Sequence, residues 1–182
     1  MELTISILAF FVSFATFLFT VLVTYRGEQR EKKQATLDAL NLLQEQVFDN
    51  LNTYTFGEIR DVAEQWSIAI VAKNKYVENK EGSAEEFWES HHEYDFTVDE
   101  YRKISGYLAR IEHFALGVNT GIYDAKVTER AATTYFVMLY SKLMPILAVK
   151  NGGSVRDTDL NNFFHTEFST LVERIRTLEK NN

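Results

Sequence analysis

The chain has 182 residues, no cysteine and a formal net charge of −7, so it can form a hydrophobic core but no disulfide or thiolate site. All 19 basic and 25 of the 26 acidic side chains follow residue 24, so this later part of the chain carries a charge of −6. An acidic domain of this kind argues against nucleic-acid binding and favours protein or small-molecule partners, or none.

The first element is the uncharged stretch LTISILAFFVSFATFLFTVLVT, from Leu3 to Thr24. As a helix, its 22 residues are long enough to cross a hydrocarbon core of about 30 Å. A cleaved signal peptide has basic residues before a shorter apolar run, whereas only Met1 and Glu2 precede this stretch. We therefore expect residues 1–25 to form a retained transmembrane anchor and residues 26–182 to form one cytoplasmic helical domain.

The charges that flank the stretch predict its orientation. Basic residues stay on the cytoplasmic side of a membrane, and Arg26, Arg30, Lys32 and Lys33 all follow the stretch. The prediction is a single-pass protein of the inner (cytoplasmic) membrane, with the N-terminus outside and the helical domain in the cytoplasm.

Small residues recur along one side of the predicted anchor, three or four positions apart. They are Ser6, Ala9, Ser13, Thr16 and Thr20. A stripe of this kind lets membrane helices approach closely, which predicts a homo-oligomer or docking on a partner helix. The alternative is that the hydroxyl groups bond carbonyls of their own helix. The sequence leaves both open.

The rest of the chain has apolar residues at helical spacing and no alternating strand pattern, which predicts an all-α fold. We expect a bundle of about five helices and one short helix. The predicted ranges are 25–51, 58–75, 84–90, 98–119, 125–149 and a last helix that starts at Asp157 or Thr158. The predicted apolar face of the first is Leu37, Leu40, Leu43, Val47 and Leu51.

Two helix starts carry the capping-box pattern, Ser83 with Glu86 and Thr97 with Glu100. Pro145 is expected to kink or loosen the helix that contains it, because proline removes a backbone donor.

A helix-turn pattern joins the two longest predicted helices of the domain. Gly121 is expected to end the first in a left-handed conformation, and Asp124 is expected to cap the second. Gly117 is expected to make room for a bulky neighbour such as Tyr135; the alternative is that the two glycines permit close packing of helices.

One carboxylate has unusual neighbours. Glu112 shares a predicted helix surface with Leu108, Ala115 and Leu116, and a buried glutamate needs a partner or a raised pKa. The structural interpretation is a buried ion pair with Arg130, opposite Glu112 across the turn. The functional interpretation is a ligand-binding or catalytic carboxylate.

The sequence contains no phosphate-binding loop, dinucleotide fingerprint, nucleophile elbow or His-Glu-x-x-His pattern, so no cofactor is predicted. His91 and His92 are weak candidates for a metal site, because adjacent helical residues point about 100° apart. A solvated polar loop is the simpler interpretation of that segment.

Two stretches, RGEQREKKQATLDAL and YLARIEHFALGVNTGIYD, resemble an uncharacterised bacterial family, a domain of unknown function with one N-terminal membrane helix and a helical cytoplasmic part. The first match lies at Ala35 to Asp38. The positions that match in the second are Glu112, Phe114, Ala115, Gly117, Gly121 and Asp124. Asn119 and Thr120 stand where that family often has basic residues, and residues 73–96 have no clear counterpart. The resemblance implies the architecture and no activity.

These observations predict a membrane-anchored module for interaction or assembly, with an enzymatic role less expected. One alternative is a membrane-acting effector of a bacterial stress or phage-defence system. A weaker alternative is a metal-dependent or carboxylate-based hydrolase that uses Glu112 or the two adjacent histidines.

Overall fold

A computed structural model of the chain describes the backbone of residues 2–150 and 167–180, and the side chains of residues 13–150 and 167–177. Every regular element in these residues is helical, which confirms the all-α prediction. The helices are α1 (Glu2–Leu43), α2 (Asp49–Asn52), α3 (Phe56–Glu78), α4 (Ala84–Ser90), α5 (Asp95–Asn119), α6 (Ala125–Lys150) and α7 (Glu167–Lys180). A π-helical turn (Gln44–Phe48) joins α1 to α2, and a 3₁₀ turn (His92–Tyr94) precedes α5.

The buried face of α1 and α2 differs from the predicted face at its first residue. Leu40, Leu43, Val47 and Leu51 are buried as expected, but Leu37 is 41% exposed. Thr36 is fully buried in its place. The spacing explains the difference, because Thr36 lies four residues before Leu40 and therefore on the same face of the helix.

Helix α6 lies at the centre of the bundle. Its buried side chains include Phe136, Leu139, Leu143 and Ile146, each with no exposed surface. Within the described residues, α6 is the helix that is long and apolar enough to cross a membrane, with a mean hydropathy of 1.3. Half of that apolar window is buried in the protein, as expected for a core helix. The side chains of residues 3–12, at the start of the apolar stretch, lie outside the described ones.

The helix starts agree with one predicted capping box and correct the other. The Ser83–Glu86 box is present, and a second box joins Thr55 to Glu58 at the start of α3. The predicted Thr97–Glu100 box is wrong, because the 3₁₀ turn leads directly into α5 at Asp95 and leaves Thr97 buried inside the helix. The carboxylate of Glu100 accepts a bond from the Tyr54 hydroxyl at 2.5 Å instead.

The end of the chain is described in part. Helix α6 continues through Pro145 as far as Lys150. The predicted start of the last helix at Asp157 or Thr158 lies outside the described residues, which resume with α7 at Glu167. Phe168, Leu171 and Ile175 of α7 are buried, as the apolar stripe of that helix predicts.

Candidate functional site

An apolar arm extends from the bundle. From Ser13 to Arg26, every side chain along α1 is exposed, and we call residues 13–25 the apolar arm. The exposed fractions reach 63% at Phe17, 69% at Phe19 and 55% at Leu22. A helix with apolar side chains on all sides is normally buried in a protein core or in a membrane, and exposed apolar surface of this extent marks an interaction site.

The small-residue stripe lies along this arm. Ser13, Thr16 and Thr20 are exposed, and the Thr20 hydroxyl donates to the Thr16 carbonyl at 2.9 Å. This bond within the helix is the local alternative that the sequence left open. The side chains of Ser6 and Ala9 lie outside the described ones, and self-association through the stripe stays a prediction.

Helix α1 is joined to the bundle by a hydrogen bond that links two distant parts of the sequence. The Thr36 hydroxyl accepts from the backbone N–H of Asp124 at 2.7 Å and donates to the Lys32 carbonyl at 2.7 Å. The Asp124 carboxylate accepts from Val127 N at 3.1 Å, which confirms the predicted cap of α6. Thr36 therefore fixes α1 to the first turn of α6. We call these contacts, together with those of Gly117, Gly121 and Tyr123 described next, the joint.

The two glycines of the helix-turn pattern shape this joint. Gly121 has a φ of +81°, which confirms its predicted left-handed conformation. Gly117 makes room for Tyr123, since a Cβ on Gly117 would lie 2.5 Å from the Tyr123 ring. The predicted neighbour Tyr135 is wrong, because that ring stacks on Phe48. The chain reverses so tightly after Gly121 that Tyr123 folds back over α5.

The Thr36 hydroxyl predicts a measurable contribution to stability. Thr36→Val keeps the shape of the side chain but leaves the N–H of Asp124 without an acceptor, which costs about 1–3 kcal/mol. Urea unfolding of the two proteins measures the loss. Thr120→Val is the matched control, because the Thr120 hydroxyl is exposed and bonds only within its own helix. Equal losses in both variants would contradict the role given to Thr36.

Helix α5 runs antiparallel to α1, the π-helical turn and α2. Lys32 Nζ lies 3.9 Å from the position of a Cβ on Gly121, near the C-terminal end of α5. Further along, Arg110 donates to the Gln46 side chain at 2.7 Å. The Tyr54–Glu100 bond completes the register near the N-terminal end of α5. The α5–α6 turn is therefore the end of the bundle nearest the apolar arm.

A groove of about 520 Å³ lies between α1 and α5. Leu43, Phe114 and Tyr123 line it with apolar surface, and Arg110 and His113 lie at its edge. Its volume suits a small molecule. Both basic side chains are exposed, however, so among the described residues the groove has no buried charged group that would select a ligand.

Glu112 contacts α7 and not Arg130. Its Oε2 accepts from the backbone N–H of Phe168 at 3.1 Å, and its buried Oε1 has no hydrogen-bond partner within the described residues. Arg130 is exposed, and among the described residues no salt bridge joins it to Glu112. The predicted pair is wrong because α7 packs on this side of α5 and offers the backbone N–H of Phe168.

This placement separates Glu112 from Arg130 in a stability test. Glu112→Leu removes the acceptor of the Phe168 N–H, and we expect a loss of about 1–3 kcal/mol. Arg130→Met changes an exposed side chain, and we expect a change within about 0.5 kcal/mol. Urea unfolding compares the two. If the two single variants lose the same free energy of unfolding and the double variant loses no more, the Glu112–Arg130 ion pair would be supported after all.

The two candidate histidines take part in different local contacts. His91 stacks on Phe87 with ring centroids 4.2 Å apart, and His92 is exposed beside the Asp95 carboxylate at 3.1 Å. No group of three or more His, Asp or Glu side chains close enough to hold a metal ion occurs within the described residues. The structure thus gives His91 a packing role in an aromatic cluster that also contains Trp88.

One buried and one partly buried ionisable group, Lys142 and Tyr54, lie at the opposite end of the bundle from the joint. The Lys142 side chain is 6% exposed, and its Nζ donates to the Leu51 carbonyl at 2.7 Å. Burial lowers the pKa of Lys142. Burial, and then the bond to Glu100, raise the pKa of Tyr54. Both side chains fix the segment that links α2 to α3.

Because the two pKa shifts are opposite, Tyr54 and Lys142 change the free energy of unfolding with pH in opposite directions. Above pH 10, folded Tyr54 keeps a proton that the unfolded chain loses, so its contribution to stability falls as pH rises. Folded Lys142 loses its proton below pH 10.5, where the unfolded chain keeps it, so its contribution rises with pH up to that value. Tyr54→Phe should flatten the alkaline loss of unfolding free energy and Lys142→Met should steepen it. Identical slopes would contradict both assignments.

A family comparison identifies the family of this chain. The family model of a domain of unknown function, DUF4760, matches residues 3–175. The chain belongs to this family. The match covers the apolar stretch and the bundle together, so both are parts of one family domain. No curated protein and no solved structure matches the chain significantly.

The positions that carried the resemblance now have structural roles. Phe114 stacks on Tyr123 with ring centroids 5.0 Å apart, Gly117 makes room for that ring, and Gly121 turns the chain. Asp124 caps α6 and donates its N–H to Thr36, which lies in the other resembling stretch. The two stretches are therefore the two halves of the joint.

Proposed function

We propose that this chain is a single-pass, membrane-anchored module for interaction or assembly, without enzymatic activity of its own, and that it presents an acidic helical bundle at the cytoplasmic face. The observation that carries the proposal is the apolar arm, exposed on all sides over residues 13–25. Together with residues 3–12, it gives a helix of about 35 Å without a charge, long enough to cross the hydrocarbon core.

The linkage between arm and bundle supports a presenting role. Helix α1 continues without a break from Glu2 to Leu43, and the joint fixes its later part to the α5–α6 turn. A partner in the same membrane would therefore meet the bundle in one orientation. Confinement to one plane raises the effective concentration of such a partner without any new contact.

The charge of the bundle supports a protein partner. The part of the chain after residue 24 carries −6, which anionic lipid headgroups repel except near the basic residues that follow the arm. The orientation with the bundle in the cytoplasm rests on those residues, Arg26, Arg30, Lys32 and Lys33.

The experiment that tests this function is affinity capture from native membranes followed by mass spectrometry. The full-length chain is compared with a version that starts at Glu28, and with residues 1–27 attached to an unrelated soluble domain. We expect one protein to be recovered with the full-length chain only. Recovery of the bait alone would contradict the proposal. The remaining alternative would be an effector that acts without a partner. Growth arrest on overexpression, seen only when the anchor is present, would identify such an effector.

Self-association through the stripe has its own test. Ser13→Leu with Thr16→Leu should abolish cross-linking between two differently tagged copies, because the larger side chains keep the helices apart. Phe14→Leu with Phe19→Leu changes residues that lie about 100° or more from the centre of the stripe and should leave cross-linking intact. Unchanged cross-linking in the first variant would remove the stripe from the interface.

A further inference from the structure

The end of the bundle nearest the arm carries an apolar residue that no other part of the described residues covers. Ile122 follows Gly121 at the point of the α5–α6 turn, and its side chain is 67% exposed. The neighbouring Tyr123, by contrast, is packed on Phe114. A single exposed aliphatic side chain is common on protein surfaces, so the position of Ile122 relative to the membrane decides what it can contact.

The register of α1 against α5 gives the distance, measured along α1, between this turn and the end of the arm at Tyr25. Lys32 lies at the level of Gly121 and is seven residues beyond Tyr25, or about 10 Å along the helix. The polar headgroup layer on one side of a bilayer is about 5–7 Å thick. A transmembrane helix tilts by about 20° on average, which brings one side of the bundle closer to the lipid.

Basic side chains at the height of the turn favour an anionic lipid surface. Lys32 lies beside Gly121, Lys126 is exposed on the first turn of α6, and Arg30 and Lys33 are exposed at a similar height along α1. Two of the acidic groups at this end are engaged within the protein. Asp124 caps α6, and Glu167 accepts from the Asn119 side chain at 2.8 Å. Glu28 and Glu31 on α1 are exposed in the same region, and the four basic residues Arg30, Lys32, Lys33 and Lys126 outnumber these two.

We infer that the α5–α6 turn is a second, peripheral contact with the bilayer, in which Ile122 enters the headgroup region and the surrounding lysine and arginine side chains lie near lipid phosphates. The inference rests on the proposed membrane anchoring. The contact would hold the bundle against the membrane, as apolar residues flanked by basic ones do in interfacial segments. The anchor alone would only tether it.

The absence of cysteine makes the test direct, because a single introduced cysteine carries a single fluorescent label. The full-length chain is placed in vesicles of phosphatidylcholine and phosphatidylglycerol that contain lipids with a quencher near the headgroup. Three variants are labelled separately: Ile122→Cys, Phe96→Cys and Phe17→Cys. Phe96 is 75% exposed near the start of α5, about 36 Å along that helix from the turn.

We expect strong quenching at Ile122→Cys and none at Phe96→Cys, with the emission at Ile122→Cys reduced to about half as its label enters the lipid interface. A second set of vesicles contains lipids brominated along their chains, which quench a label inside the hydrocarbon core. Equal emission from Ile122→Cys and Phe96→Cys, together with quenching of Phe17→Cys in this second set, would overturn the membrane contact of the turn and leave the anchor intact. An unquenched Phe17→Cys would overturn the anchor itself. A signal at Ile122→Cys that depends on protein density would indicate a second copy and not lipid, and would also overturn the inference.

Discussion

Arginine at both Phe14 and Phe17 should release the protein from the membrane. The 14 Leu, Ile, Phe and Val side chains of residues 3–24 contribute roughly −4 to −8 kcal/mol to insertion. Each arginine near the centre of the helix costs about 2.5–3.5 kcal/mol. Two of them offset most of that gain. We expect the variant in the soluble fraction after a carbonate wash, while the unchanged chain stays in the membrane fraction.

The matched control is Phe14→Leu with Phe17→Leu, which alters the same positions and keeps them apolar. It should stay in the membrane fraction. Both residues are at least half exposed, so neither double variant should change the thermal unfolding of the bundle. A double arginine variant that stays in the membrane fraction would show that something other than insertion of the arm holds the protein there.

Alanine at Gly117 should destabilise the bundle, although alanine normally stabilises a helix. Its Cβ would lie 2.5 Å from Cδ2 of Tyr123, a distance that real Cβ contacts essentially never reach. The ring has little freedom to move, because it stacks on Phe114 and its backbone N–H donates to the Gly117 carbonyl at 2.9 Å. We expect a net loss of about 1–3 kcal/mol, the usual cost of overpacking.

Gly106→Ala is the matched control for this effect. Gly106 lies in the same helix and has nothing within 4 Å of its Cβ position, so alanine there should add about 0.5–1 kcal/mol. Urea unfolding measures both variants. In a Tyr123→Ala background, Gly117→Ala should no longer destabilise the protein. A loss that persists in that background would separate Gly117 from Tyr123.

The local signals of the sequence predicted much of the joint. A glycine that ends a helix and an aspartate that starts the next are readable without the fold, because their roles depend on neighbouring backbone groups. Gly121 and Asp124 were predicted for that reason. The Thr55–Glu58 capping box was missed, although its pattern is the same as that of Ser83 and Glu86.

The residues that were wrongly predicted or missed depend on tertiary packing. Glu112 was paired with Arg130 because the two lie opposite each other across the turn, but α7, distant in sequence, supplies the actual donor. Thr36 was missed because a threonine does not read as part of an apolar stripe. Its spacing of four residues from Leu40 was the available signal.

The measurement that tests the membrane-anchored account most directly is labelling of single cysteines by a membrane-impermeant maleimide in intact and in permeabilised cells. Glu2→Cys precedes the apolar stretch, and Ile68→Cys lies on α3, where the side chain is 54% exposed. We predict that Glu2→Cys reacts in intact cells and that Ile68→Cys reacts only after permeabilisation. Reaction of Ile68→Cys in intact cells, or of neither variant until the cells are permeabilised, would contradict a single-pass protein with its bundle in the cytoplasm.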